Sequence, residues 1–189
     1  MRYLIVPGWA GSGPDHWQSL WLAELPAASR VEMPDWLRPR RGGWVEALDA
    51  AIAGAADPVV LVAHSLGCLA VAHWAARTGR AVRAAFLVAP ADVERRGCPE
   101  VLRDFAPVPR APLPFASTVV ASDDDPYVRL ERAAIFARAW RSGLVPIARG
   151  GHLNARSGLG RWPRGLVLLA DLVARAARTG ELHENDAVY

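Results

Sequence analysis

The sequence has no lysine. All 22 of its Lys+Arg positions are arginine, which excludes a P-loop, whose grip on phosphate needs a lysine after the glycines. Cysteine is nearly absent. Cys68 and Cys98 are the only two, and they make neither a disulfide framework nor a metal-ligand pair. No apolar run approaches the ~18 residues of a membrane span. Internal repeats, low-complexity tracts and interdomain linkers are missing too, which leaves one domain over residues 1–189. The polar stretch 180–189 reads as a frayed tail.

Strong charge is also lacking. The net charge is +3 and the isoelectric point is about 9.4, yet the arginines do not cluster. The densest group, Arg38-Pro39-Arg40-Arg41, lies in a Pro/Gly loop and reads as a solvated turn. No nucleic-acid or membrane partner is expected. Hydrophobic residues make up 52% and charged residues 22%, ordinary values for a soluble globular protein. The start, Arg2-Tyr3-Leu4-Ile5-Val6-Pro7-Gly8, reads as a strand entering a turn and is too short for a signal-peptide core. A cytoplasmic protein is expected.

Six strand candidates, near 2–6, 29–33, 58–63, 82–88, 116–121 and 144–148, alternate with helical patterns near 15–25, 43–54, 66–77, 128–142 and 163–178. Most of the strands are continuous apolar runs, as in strands covered on both faces. The alternation implies right-handed crossovers and a mostly parallel six-stranded sheet with helices on both faces. The longest irregular stretch, about 90–115, is rich in proline and is the segment available to cover a site.

The most informative segment is Val59-Val60-Leu61-Val62-Ala63-His64-Ser65-Leu66-Gly67. A buried-type strand ends at a serine, and a helix starts at the next residue. Such a nucleophile elbow lifts the hydroxyl off the sheet. Its flanking positions, here Ala63 and Gly67, must be small because strand and helix pass close together. A helix-capping serine is the plainer reading of the same motif.

Ligands of an open parallel sheet bind beyond the carboxyl ends of its strands. There the sequence places, in order, a glycine loop (Gly8-Trp9-Ala10-Gly11-Ser12-Gly13), Ser65, the acidic run Asp123-Asp124-Asp125, and His152 behind Gly150-Gly151. The order Ser, Asp, His is that of the α/β-hydrolases. A serine hydroxyl needs a base, and the base needs an orienting carboxylate. His152 is the candidate base. Asp125 is preferred among the three acids because Pro126 stiffens the backbone after it, with Asp124 as runner-up. The glycine loop fits an oxyanion hole better than a dinucleotide site, with the N–H of Trp9 joining that of Leu66. Trp9, Trp17 and Trp162 are candidate apolar walls of a substrate pocket, and His16 and His64 are candidate lining residues. His73 reads as structural and His183 falls in the tail. No histidine pair has metal spacing, so no metal is expected.

With these residues in view, the chain resembles a small α/β-hydrolase family, that of retinoblastoma-binding protein nine and the bacterial YdeN proteins. The resemblance spans nearly the whole length. It rests on Pro7-Gly8-Trp9, Asp15-His16-Trp17-Gln18, Ala63-His64-Ser65-Leu66-Gly67, Ser122-Asp123-Asp124-Asp125-Pro126-Tyr127-Val128 and the long block from Gly151 to Pro163. It implies a three-layer α/β-hydrolase core without a large cap domain and a triad of Ser65, Asp125 and His152. One family member binds retinoblastoma protein through Leu-x-Cys-x-Glu. Here Arg96-Gly97-Cys98-Pro99-Glu100 has arginine at the leucine position, which removes that implication.

The expected activity is cleavage of small carboxylic esters or related acyl compounds, with no cofactor and with a small-molecule acyl substrate as partner. A non-catalytic binding protein on the same scaffold, and an acyltransferase or peptidase using the same triad, are the alternatives.

Overall fold

The computed structural model describes residues 1–77 and 80–186. Within these described residues six strands form one sheet: β1 (Arg2–Val6), β2 (Ala28–Arg30), β3 (Val59–His64), β4 (Ala84–Val88), β5 (Ala116–Ser122) and β6 (Gly143–Ile147). Among the described residues five α-helices accompany them: α1 (Trp17–Glu24), α2 (Arg41–Ala53), α3 (Leu66–Ala75), α4 (Leu130–Ala139) and α5 (Pro163–Asp186). The strand order is β2-β1-β3-β4-β5-β6. Every pairing is parallel, so the sheet is parallel throughout its described strands.

The valine-rich runs form strands because both of their faces are buried, and alternate residues then feed two separate cores. In β3, Leu61 and Ala63 join the core beneath α2, α3 and α4. Val60 and Val62 join the core beneath α1 and α5. The result is a three-layer α/β-hydrolase core. The chain leaves β1 toward β2 on one side and enters β3 on the other. The carboxyl ends of β1 and β3 therefore lie side by side while their connections diverge, which opens a crevice at that point.

Close packing at the crevice depends on one glycine. A Cβ on Gly67 would sit 2.4 Å from the Val6 carbonyl oxygen and 2.6 Å from that of Pro7. Both obstacles are backbone, so neither yields by a rotamer change. Gly67→Ala is expected to destabilise the protein by about 2–3 kcal/mol. Urea unfolding would check this, and a loss under about 0.5 kcal/mol would show that α3 can slide away from β1.

Most differences from the sequence reading are shifts of element ends. The irregular stretch 90–115 contains a 3₁₀ turn, Glu100–Phe105, whose Leu102 and Phe105 are buried against the core. The expected frayed tail is corrected for residues 180–186, because α5 runs on to Asp186. A single glycine, Gly180, weakens a helix that is already propagating without ending it. The rest of that expectation, 187–189, lies outside the described residues.

Candidate active site

Ser65 stands at the junction of β3 and α3 with φ 53° and ψ −120°, a backbone conformation that costs energy in any residue with a side chain. Its own N–H donates to the Val88 carbonyl at 2.9 Å. The glycine loop after β1 passes close by. A Cβ on Gly8 would come within 2.9 Å of the Ser65 Cβ, so only glycine lets the loop approach. The next residue on that loop is Trp9, and the first of α3 is Leu66. Among the described residues, neither of these two amides has an acceptor within the protein.

Three side chains from three different loops meet here. The Ser65 hydroxyl lies 2.9 Å from His152 Nε2, and His152 Nδ1 lies 2.8 Å from Asp125 Oδ2. Since the carboxylate only accepts, Nδ1 carries the proton and Nε2 is left to accept from the serine. The other oxygen, Asp125 Oδ1, accepts from the Tyr127 N–H at 2.8 Å. The Asp125 side chain is fully buried.

The other two aspartates of the run hold the loop that carries the histidine. Asp123 Oδ1 accepts from the Arg149 N–H at 2.7 Å. Asp124 Oδ1 accepts from the Gly151 N–H at 2.7 Å and from the Ser122 hydroxyl at 2.7 Å. The Ser122 hydroxyl in turn accepts from the Gly150 N–H. The acidic run thus bonds the loop at three points, and only Asp125 reaches the imidazole. These bonds offset strain in the loop, where Arg149, Gly151 and Leu153 all have positive φ.

Two more histidines pack in line behind the first. His64 Nε2 donates to the His152 carbonyl at 2.9 Å, and its ring centre is 4.9 Å from that of His152. His16 caps α1, accepting through Nδ1 from the Gln18 N–H, with its ring 4.8 Å from His64. Burial holds His64 well below its ordinary value, and the nearby His152 and His16 add to the effect. Burial, then proximity to His152, lowers His16 from 6.5 to about 4. Both are neutral near pH 7.

A stability effect follows from these shifts. The unfolded chain protonates His16 below pH 6.5, whereas the native chain resists until about pH 4. The unfolded state therefore binds more protons in that window, so stability is full above it and falls as pH drops through it. Between pH 7 and pH 5 the loss expected from His16 is about 2 kcal/mol. Urea unfolding of the wild type and of His16→Asn, which keeps a capping acceptor, should give a shallower pH dependence for the variant. Identical slopes would remove His16 from this account.

A cavity of about 320 Å³ opens over Ser65 and His152. Trp9, Leu66, His16 and His64 line it from the sheet side, and Val93, Cys98 and Leu102 line it from the 90–115 stretch. The two remaining wall candidates require correction. Trp17 and Trp162 do not line this cavity; they are buried in the core under α1 and α5 and pack on each other with ring centres 5.0 Å apart. Large apolar rings gain most from full burial. Trp17 still bears on the site, because its indole N–H donates to the Leu153 carbonyl at 2.7 Å. Sequence reasoning missed Gln18, Ser122 and Tyr127. Gln18 is fully buried and donates to the carbonyls of Val6 and Val62, one strand residue from each side of the crevice. Its place in Asp15-His16-Trp17-Gln18 was the only available signal.

The family model described as "Serine hydrolase" matches residues 3–171. A solved structure from Pectobacterium atrosepticum, described as a YdeN-like hydrolase, is 31% identical with a TM-score of 0.82, covering 93% of this chain and 91% of its own. The ydeN gene product of B. subtilis is 23% identical with a TM-score of 0.78, covering 92% of this chain and 98% of its own. A protein from Xanthomonas campestris pv. campestris, described as a hydrolase of the alpha/beta superfamily, is 24% identical with a TM-score of 0.59, covering 90% and 99%. Among curated proteins there is no match. The family match takes in the elbow, the acidic run and the histidine loop, and the chain belongs to the serine hydrolase family.

Proposed function

We propose that the protein cleaves small carboxylic esters or related acyl compounds through an acyl-enzyme on Ser65. One observation carries this reading: the unbroken line from Ser65 Oγ to His152 Nε2 at 2.9 Å and from His152 Nδ1 to Asp125 Oδ2 at 2.8 Å. Ser65 Oγ bonds to the carbonyl carbon while its proton passes to Nε2, and the amides of Trp9 and Leu66 stabilise the oxyanion. The proton on Nε2 then goes to the leaving oxygen or sulfur as its bond to carbon breaks. Water repeats the sequence on the acyl-enzyme, releasing the acid and restoring the serine. Asp125 keeps the proton of the resting imidazole on Nδ1. The chemistry requires no cofactor.

The cavity of about 320 Å³ is at the small end of ligand sites, which favours short acyl chains. A fluorophosphonate probe is expected to label the protein stoichiometrically, and acetyl and butyryl esters should turn over faster than long-chain ones. Absence of both labelling and ester turnover would defeat the proposal.

A further inference from the structure

A second cavity, of about 420 Å³, adjoins the first and shares Asp92, Arg95 and Tyr127 with it. Four arginines line it: Arg95, Arg96, Arg129 and Arg132. Its two carboxylates are already engaged. Asp92 lies 3.4 Å from Arg132, and Asp125 is held by His152. Just outside, Glu94 pairs with Arg132 and Arg110. Among the described residues, Arg95, Arg96 and Arg129 have no carboxylate within 4.0 Å. Three cations without counter-ions around one concave surface make a field that draws in an anion.

The position of this surface relative to the triad indicates which part of a substrate it meets. Tyr127 packs edge-on against the His152 ring with centres 4.7 Å apart, and the Arg95 guanidinium lies 5.7 Å from the centre of the same tyrosine ring. Arg95 thus stands one aromatic ring away from His152 and also lines the cavity over Ser65. In acyl transfer the leaving group must lie beside His152, because it takes its proton from Nε2. We infer that the alcohol or thiol half of the substrate carries an anionic group, a carboxylate or a phosphate, which is held by Arg95 with Arg96 and Arg129. This rests on the hydrolase reading above and extends it to a substrate class.

The test uses four acetyl or acyl esters on the full chain. Methyl 4-acetoxybenzoate has a neutral leaving half, 4-acetoxybenzoate a carboxylate and 4-acetoxyphenyl phosphate a phosphate. Monophenyl succinate places the charge on the acyl half instead. kcat/KM, divided by the uncatalysed rate of each ester, is compared in the wild type, in Arg95→Gln/Arg129→Gln, and in Arg77→Gln. Arg77 is exposed and lies past the end of α3 remote from Ser65, so it controls for loss of charge in general.

The wild type is expected to prefer the anionic leaving halves by about tenfold, and the preference should shrink with added salt. It should fall at least about fivefold in the double variant and persist in Arg77→Gln. A larger preference for the phosphate ester would identify phosphate as the natural group, and equal preference would show that a single carboxylate suffices. An unchanged preference in the double variant, or an equal loss in Arg77→Gln, would overturn the inference. So would a preference for monophenyl succinate over both anionic leaving groups. Turnover of the neutral ester separates these failures from failure of the hydrolase reading, which would abolish turnover of all four and probe labelling as well.

Discussion

Ser65→Ala is expected to lose all fluorophosphonate labelling and to lower ester turnover by about 10⁶-fold. Nothing else at the site can replace the attacking atom. Cys98 lines the same cavity, but burial raises its thiol above the ordinary value, so it offers little thiolate. The fold should survive. Alanine can occupy the position as serine does, at the same φ of 53°, and the hydroxyl's bond to His152 is worth only about 1 kcal/mol. Urea unfolding should therefore show a midpoint close to the wild type. A variant that still labels fully would assign the nucleophile elsewhere, and one that fails to fold would mean that the elbow needs the hydroxyl for its shape.

Asp125→Asn should reduce turnover by about 10³–10⁴-fold, and the hydrogen bonds explain why. One oxygen of Asp125 accepts from the Tyr127 N–H and the other from His152 Nδ1. Asparagine has only one oxygen. If that oxygen stays with Tyr127, the amide NH₂ faces Nδ1 and forces the imidazole proton onto Nε2, where it cannot accept from serine. If the amide flips, the Tyr127 N–H meets a donor and the turn opens. Asp124→Asn should be mild, because both of its bonds converge on a single oxygen, Oδ1, which asparagine keeps. Asp123→Asn likewise keeps the one acceptor that it uses. Should Asp124→Asn be the crippling change and Asp125→Asn the mild one, the orienting role moves one residue upstream.

Much of this arrangement could be read in the chain because it is written in backbone requirements. The elbow demands a strand, a serine and a helix without a spacer, with a small residue at Gly67, and few other patterns meet that demand. The crevice follows from strand order, and the order Ser, Asp, His follows from which loops face it. The tryptophans could not be assigned in this way. Trp9 is 41% exposed at the cavity and Trp17 is 1% exposed in the core, yet both occur near glycines and polar residues, one in the loop after β1 and the other at the start of α1. An aromatic residue suits either setting, and only packing partners separate them. The arginine surface was equally hidden, since Arg95 and Arg129 come from segments that no local pattern brings together. The roles of Asp123 and Asp124 were hidden as well, because their partners are backbone amides 26 and 27 residues away.

The bond from the Trp17 indole to the Leu153 carbonyl joins positions 136 residues apart, and His152 beside it meets Ser65, 87 residues upstream. Contacts of such separation carry a large loop-closure entropy. Catalytic competence is therefore gained only when the first loop and the last have closed upon each other. Helix content during refolding can return earlier, from contacts among neighbours. Activity registers the closure of the whole chain, which makes this small enzyme a stringent indicator of its own completion.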